Sequence, residues 1–220
     1  MNNNLTELVF VLDRSGSMDE LTSETAGGFN SLIRKQKAET NGEVYVTTAI
    51  FDDDYELLHD HINISDIPVM QEEDIYARGC TALLDAIGRT IDSVGKRLAE
   101  TPEEDRPANI LFVITTDGYE NASTDYSKSK VKRMITRQRT KYNWKFMFLG
   151  ADIDAVGEAS SLGIRKDMAA RSSKSGRGIN AQFSAASDIA AYLNQHGFVE
   201  ENDEEFLASN FKAMDRVNNS

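Results

Sequence analysis

The apolar run Leu8-Val9-Phe10-Val11-Leu12 leads directly into Asp13-Arg14-Ser15-Gly16-Ser17-Met18, in which oxygen-bearing side chains are closely spaced. A short apolar run that is rich in valine and bounded by polar residues is typical of a buried strand. The polar side chains follow it at alternate positions, and their carboxylate and hydroxyl oxygens are the ligands that hard cations prefer. The stretch therefore predicts a strand whose carboxyl end carries a cation site.

A second apolar run, residues 110–114, leads into Thr115-Thr116-Asp117-Gly118. In an open α/β sheet, ligands bind outside the carboxyl ends of parallel strands, so two neighbouring strands that end in aspartate place both carboxylates at one edge. Between the two runs, Gly79-Cys80-Thr81 puts a threonine at the start of a helix, with its hydroxyl directed at the same edge. Five oxygen donors are therefore expected to converge: Asp13, Ser15, Ser17, Thr81 and Asp117.

These three motifs together resemble the von Willebrand factor type A (vWA) family. The metal-ion-dependent adhesion site (MIDAS) of that family reads Asp-x-Ser-x-Ser, then Thr after a glycine-rich turn, then Thr-Asp-Gly, and all three parts occur here in that order. The resemblance covers roughly residues 5–197, which we take as one vWA domain. Residues 198–220 have no equivalent in the family and are expected to form an acidic tail or a terminal helix.

The order of the other segments predicts the same architecture. Apolar strands alternate with amphipathic helices, of which the clearest begins at Thr81 and ends before Thr101-Pro102. Two β-rich runs, 43–51 and 55–64, flank Asp52-Asp53-Asp54, which we interpret as the solvated turn of a hairpin. The expected fold is α/β: a doubly wound, mostly parallel central sheet of Rossmann-like type, with one antiparallel edge strand and helices on both faces.

The resemblance implies how such a site works. In the family, hydroxyls bind the metal directly, carboxylates act largely through water, and an acidic side chain of a partner protein completes the shell. For this chain it implies Mg²⁺, or Mn²⁺ or Ca²⁺, as the cofactor, and a protein partner that offers an Asp or Glu carboxylate. Arg14, Met18 and Tyr119 lie beside the ligands and are expected on the rim of the binding face, with Arg14 as an exposed base. A binding module without catalytic residues is the leading interpretation.

Two other functions stay open on the sequence. One is a magnesium-dependent phosphotransferase or phosphatase of the haloacid-dehalogenase type, although that chemistry normally needs a second acid where this chain has Ser15. The other is an adaptor subunit for a ring-shaped ATPase or a chelatase. Residues 173–178, Ser-Lys-Ser-Gly-Arg-Gly, lack the order of a phosphate-binding loop, which disfavours nucleotide hydrolysis.

Composition restricts the setting in which these functions would operate. The 220 residues carry a net charge of −12 and a single cysteine, Cys80, which excludes an internal disulfide and is expected to be a small buried residue. Residues 1–125 hold 9 basic and 25 acidic residues, whereas residues 126–178 hold 13 and 4. Apolar residues at helical spacing in the basic stretch favour a helix with a solvated basic face over a nucleic-acid interface. No signal peptide or membrane span is recognised, so a cytoplasmic location is expected.

A zinc site at the two histidines of the second hairpin strand is not favoured. His59 and His61 stand at alternate positions and are therefore expected on one face of the sheet. No third soft ligand lies near them in the sequence.

Overall fold

The computed structural model describes residues 1–40, 42–196, 209 and 211. Its strands are β1 (Asn2–Asp13), β2 (Glu43–Phe51), β3 (Tyr55–Asn63), β4 (Pro107–Thr116), β5 (Lys145–Ala151) and β6 (Ala169–Ser172). Its helices are α1 (Thr22–Glu39), α2 (Leu83–Glu100), α3 (Lys128–Tyr142), α4 (Ala155–Ser161) and α5 (Gly176–His196). Short 3₁₀ turns, among them Gly16–Leu21 directly after β1, complete the connections.

The six strands form one sheet in the order β3-β2-β1-β4-β5-β6. Neighbouring strands run parallel except β3, which pairs antiparallel with β2 at one edge. The chain winds outward in both directions from the pair β1 and β4, so the topological switch point lies between these two strands. The predicted fold class is confirmed.

The central strands are buried on both faces, which is why they are almost uninterrupted apolar runs. Helices α1 and α5 pack against each other on one face, where the rings of Phe10 in β1 and Phe29 in α1 meet edge to face at 5.2 Å. Helices α2 and α3 cover the other face. There the fully buried carboxylate of Glu7 in β1 pairs with the guanidinium of Arg97 in α2.

The expectation that His59 and His61 share a face of the sheet is wrong. The imidazole of His59 stacks on Phe29 of α1, whereas that of His61 stacks on Tyr45 and lies 2.9 Å, through Nδ1, from a guanidinium nitrogen of Arg97 in α2. The register of β2 and β3 shifts near this point, and His61 has a positive φ of 54°. This irregularity breaks the strict alternation of side chains along a strand.

Residues 198–220, predicted as an acidic tail or terminal helix, lie outside the described residues apart from 209 and 211. Within the part of the chain that the structure describes, no helix combines the length and the apolar character needed to span a membrane.

Candidate metal centre

The switch point brings the predicted motifs to one edge of the sheet. Leu12 of β1 lies opposite Thr115 of β4, so the two strands end at the same level and Asp13 and Thr116 are neighbours. The loop that precedes α2 crosses the same edge, where the N–H of Gly16 donates to the carbonyl of Gly79 at 3.1 Å. The topology thus delivers all three motifs to a single site.

Asp13 organises the loop around it. Its Oδ1 accepts a hydrogen bond from the Ser15 N–H at 2.7 Å, and its Oδ2 accepts one from the Thr116 hydroxyl at 2.5 Å. The Thr116 hydroxyl in turn accepts from the N–H of Gly118 at 3.1 Å. Burial raises the pKa of the Asp13 carboxyl to about 6, and the charge of Asp117 acts in the same direction. Both oxygens of Asp13 are therefore already engaged by the protein.

The hydroxyls and the second carboxylate surround a small space. The Oγ atoms of Ser15 and Ser17 are 3.2 Å apart, and the Ser17 hydroxyl donates to Asp117 Oδ1 at 2.5 Å. A Cβ atom added to Gly118 would stand 3.2 Å from Thr81 Oγ1 and 3.8 Å from Ser17 Oγ. The glycine thus keeps open the space that these hydroxyls border, and the structure brings all five predicted ligand residues together.

A lysine that the sequence did not suggest lies at the same site. Lys174, in the connection between β6 and α5, places Nζ 2.8 Å from Asp117 Oδ2. That oxygen is buried and has no geometrically aligned hydrogen-bond donor among the described residues, so the contact is an ion pair rather than a directed hydrogen bond. No motif marks Lys174, because its proximity to Asp117 depends on how β6 is placed in the sheet.

The donor set suits a small hard cation. Around Mg²⁺, with Mg–O distances of about 2.05 Å, neighbouring octahedral ligand oxygens are about 2.9 Å apart. The separations of 3.2 Å between the two serine hydroxyls and 2.5 Å between Ser17 and Asp117 bracket that value. Among the described residues no three His, Cys, Asp or Glu side chains form a metal-binding group.

Arg14 is not the exposed base that the sequence suggested. It is 2% exposed, and its Nε donates to Asp52 Oδ2 at 3.0 Å while a terminal nitrogen donates to Glu56 at 3.0 Å. The same Asp52 oxygen accepts from Arg78 Nε at 2.6 Å. The prediction of a solvated turn at Asp52-Asp53-Asp54 is confirmed for Asp53 and Asp54, which are exposed, but it is wrong for Asp52, which is buried between these two guanidinium groups.

This cluster ties together the three loops around the site. The Arg78 N–H donates to the Arg14 carbonyl at 2.9 Å, and the Ala82 N–H donates to the Asp52 carbonyl at 3.0 Å. Arg14 belongs to the loop after β1, Asp52 to the hairpin between β2 and β3, and Arg78 and Ala82 to the segment that carries Thr81. The ion pairs thus fix the Thr81 segment against the Asp-x-Ser-x-Ser loop.

The other two residues predicted on the rim, Met18 and Tyr119, differ in their exposure. Met18 is 3% exposed, because the 3₁₀ turn Gly16–Leu21 directs it into the core, and its expected place on an exposed rim is wrong. Tyr119 is 56% exposed, and its hydroxyl accepts from the Asp154 N–H at 3.2 Å. Cys80 is exposed rather than buried as expected. Of the three residues predicted on the rim, Tyr119 is therefore exposed beside the site, whereas Arg14 and Met18 are buried.

Comparison with solved structures identifies the architecture. The vWF domain of the type V pili tip protein Mfa5 from Porphyromonas gingivalis aligns with a TM-score of 0.61 at 11% identity, over 89% of this chain and 98% of that one. A von Willebrand factor type A structure from Catenulispora acidiphila aligns with a TM-score of 0.53 at 16% identity, over 84% and 42%. The fold is that of a vWA domain.

A third vWA-like structure is known with metal. Proximal thread matrix protein 1 from the mussel byssus, with a zinc-occupied MIDAS motif, aligns with a TM-score of 0.59 at 16% identity, over 86% of this chain and 47% of that one. This chain thus spans about half the length of the mussel protein. At such identities the likeness establishes the vWA fold alone. No family model and no curated protein sequence matches the chain significantly.

Proposed function

We propose that this chain is a metal-dependent protein-binding module. In this proposal Asp13, Ser15, Ser17, Thr81 and Asp117 hold Mg²⁺, or Mn²⁺ or Ca²⁺, and the cation captures an Asp or Glu side chain of a partner protein. The observation that carries the proposal is the convergence of three neutral hydroxyls on the space that Gly118 leaves open. Hydroxyl ligands leave most of the cation's charge unneutralised, which favours an incoming carboxylate.

In this proposal the five residues have different roles, which follow from their contacts. Ser15, Ser17 and Thr81 supply hydroxyl oxygens directly. Asp13 uses both carboxylate oxygens on the protein, so its part is to hold the serine loop against β4 and to add negative charge nearby. Asp117 orients Ser17 through Oδ1, and its Oδ2, which is paired with Lys174, would reach the metal in competition with that ammonium group. The bound cation supplies the electrophilic centre to which a partner's carboxylate is attracted.

The solved structures support the proposal of an adhesion-type role, but their own functions are not assigned to this chain. The mussel thread protein has a zinc-occupied MIDAS motif, and another structure of this fold is the pilus adhesin SpaC from Lactobacillus rhamnosus GG, aligned with a TM-score of 0.65 at 10% identity over 87% of this chain and 30% of that one. These facts describe those proteins. For this chain the metal, the protein partner and the location in the cytoplasm belong to the proposal.

The chain is proposed to be a non-enzyme that requires neither nucleic acid nor a membrane. The haloacid-dehalogenase alternative would need a second acid two residues after Asp13, and the residue at that position is Ser15, whose hydroxyl contacts Ser17. A phosphatase assay with magnesium and a generic aryl phosphate separates the two functions. Turnover that disappears in Asp13→Asn would favour the enzyme, whereas no turnover above background is expected.

Affinity capture tests the binding function. The full chain and the double variant Ser15→Ala/Ser17→Ala are immobilised and exposed to a cell extract with Mg²⁺ or with EDTA, and bound proteins are compared by mass spectrometry. We expect a partner set that is retained by the unaltered chain only in Mg²⁺ and is absent from the variant. A partner set that is the same with EDTA would overturn the metal-bridge mechanism, and partners such as ring ATPase subunits would identify the adaptor role.

A further inference from the structure

A second concave site lies at the opposite end of the sheet. A cavity of about 630 Å³ opens between α2 and α3, beside the first residues of β4. Pro107, which begins β4, belongs to its wall, whereas Asp117 follows the other end of that strand. Ten residues of strand span roughly 30 Å, so this cavity is separate from the candidate metal centre. Its volume falls within the range of small-molecule sites.

Two glycines on the cavity side of α2 differ in their surroundings. A Cβ at Gly88 would stand 2.1 Å from the ring of Tyr126, so packing requires glycine there. One heptad further along the same helix face, a Cβ at Gly95 would meet nothing closer than Gln138 Nε2 at 3.8 Å and Trp144 Cη2 at 3.9 Å. Glycine inside a helix is less stabilising than alanine. Packing does not require Gly95, and its missing side chain leaves the cavity open.

The floor of the cavity is apolar and its rim is positive. Apolar side chains on the wall include Ile91, Leu98, Ile110 and Trp144, of which Trp144 stacks on Phe112 with ring centroids 5.2 Å apart. Such a floor favours an apolar or aromatic ligand body.

Three cations line the cavity, Lys96, Arg106 and Arg137. Among the described residues that line it, Asp92 is the one acid, and its carboxylate accepts a hydrogen bond from the Tyr126 hydroxyl at 2.7 Å. The positive charge also affects Tyr142, whose pKa lies below its ordinary value because Arg137 and Lys141 interact with it, 5.9 Å and 5.2 Å from its ring centroid. An anionic group at this rim would meet an excess of positive charge.

We propose that the cavity between α2 and α3 binds a small organic anion with an apolar body, such as a medium-chain carboxylate. The apolar body would lie along Trp144 in the space beside Gly95, and the carboxylate would lie at the cationic rim. The proposal does not rest on the metal-dependent function, because the two sites share no residue.

Trp144 provides the measurement, since it is the single tryptophan of the chain. The full chain is titrated in EDTA with decanoate and decyltrimethylammonium, each below its micellar concentration, and with decanol below its solubility limit, while tryptophan fluorescence is recorded. We expect a saturable change with decanoate, and at least tenfold weaker binding of the cationic amphiphile. Gly95→Leu fills the cavity and should abolish the change. Gly27→Leu, at an α1 glycine whose Cβ would meet nothing within 4 Å, should leave it intact.

A folding control and a variant of the cationic rim complete the test. Circular dichroism melting of both leucine variants establishes that they fold. The double variant Lys96→Gln/Arg137→Gln is expected to weaken decanoate binding about tenfold and to leave decanol binding unchanged. The proposal is overturned by the absence of a saturable signal, by equal binding of all three amphiphiles, or by a Gly95→Leu protein that folds and binds decanoate as tightly as the unaltered chain.

Discussion

Lys174 shows how one residue adjusts the charge of the candidate metal centre. Asp13 and Asp117 place two carboxyl groups in a buried environment, where negative charge needs a compensating positive charge. The Lys174 ammonium, 2.8 Å from Asp117, supplies it from the β6 side. A divalent cation at the site would meet the same carboxylate and be repelled by the ammonium. Lys174 and a metal bound at this site would therefore compete for Asp117.

Replacing this lysine should strengthen metal binding. Lys174→Gln removes the competing charge, and we expect Mg²⁺ to bind roughly threefold to tenfold more tightly. The gain is limited because the Lys174 ammonium is partly exposed to water, which weakens its repulsion of the metal. Calorimetric titration of Mg²⁺ measures the change. Lys132→Gln, which removes one exposed positive charge from α3, is the matched control and should show no comparable gain. Unchanged or weaker binding in Lys174→Gln would contradict the competition.

Gly118 offers a second test at the same scale. In Gly118→Ala the new methyl group would stand 3.2 Å from Thr81 Oγ1 and occupy space that the hydroxyls border. We expect Mg²⁺ affinity to fall at least tenfold, because coordination depends on ligand positions to within a few tenths of an ångström. Equilibrium dialysis against Mg²⁺, with Gly27→Ala as the control, measures this. Wild-type affinity in Gly118→Ala would show that the metal does not bind between these hydroxyls.

At the scale of secondary-structure elements, the buried Asp52 connects three loops. It joins the end of β1, the hairpin of β2 and β3, and the approach to α2 through Arg14 and Arg78. Asp52→Asn leaves the guanidinium of Arg14 buried without its full counter-charge, which should cost about 3 kcal/mol in the free energy of unfolding. It should also weaken Mg²⁺ binding, because the Thr81 segment is less firmly held. Urea unfolding and calorimetry report the two effects.

The hairpin supplies the control for this prediction. Asp54→Asn alters the same turn at a side chain that is 79% exposed and makes only a 3.5 Å contact with Arg78. Its unfolding free energy should change by less than about 1 kcal/mol. If Asp52→Asn and Asp54→Asn lose equal stability, the buried cluster does not have the role assigned to it.

The pH dependence of the free energy of unfolding should report on the ion pairs of Asp52 with Arg14 and Arg78. Burial alone would raise the pKa of Asp52, but the hydrogen bond from Arg78 and the charge of Arg14 hold it below its ordinary value of 3.8. The folded state therefore binds fewer protons, so the contribution of Asp52 is complete above about pH 5 and is lost as the pH falls through the folded pKa. The stability difference between the unaltered chain and Asp52→Asn should stay constant from pH 7 to about pH 5 and shrink below pH 4. Shrinkage already at pH 6 would contradict this.

The elements were predictable where periodicity alone determines them. The apolar runs predicted β1 and β4, and the amphipathic pattern that begins near Thr81 predicted α2. The ends of the elements were predicted less exactly: the β-rich run expected over 55–64 is β3 at Tyr55–Asn63, and the helix expected to begin at Thr81 is α2, which begins at Leu83. Short segments carry little periodic signal, and their ends depend on tertiary pairing.

The part of the candidate site that belongs to the three sequence motifs was predictable. Strand ends that carry Asp, Ser and Thr converge because sheet topology brings them together. The positions of Arg14 and Lys174 were not predictable, because a cation's burial depends on the partners that distant loops supply. Asp52 lies 38 residues from Arg14 in the chain, and no local pattern marks this pairing.

At the scale of the whole molecule, the vWA fold separates two candidate sites. The carboxyl ends of β1 and β4 carry the oxygen-lined site, while the opposite end of the sheet carries the cavity between α2 and α3. The acidic first part of the chain contributes the Asp-x-Ser-x-Ser loop, and the basic stretch contributes α3 and Lys174. Each site thus draws residues from both halves of the charge distribution.

Calorimetric titration of Mg²⁺ into the folded chain measures whether the five converging residues hold a cation. We predict one Mg²⁺ per chain for the unaltered protein, and at least tenfold weaker binding in Asp13→Ala and in Thr81→Ala, with circular dichroism confirming that both variants are folded. Magnesium affinity that is unchanged in folded Asp13→Ala would contradict the claim.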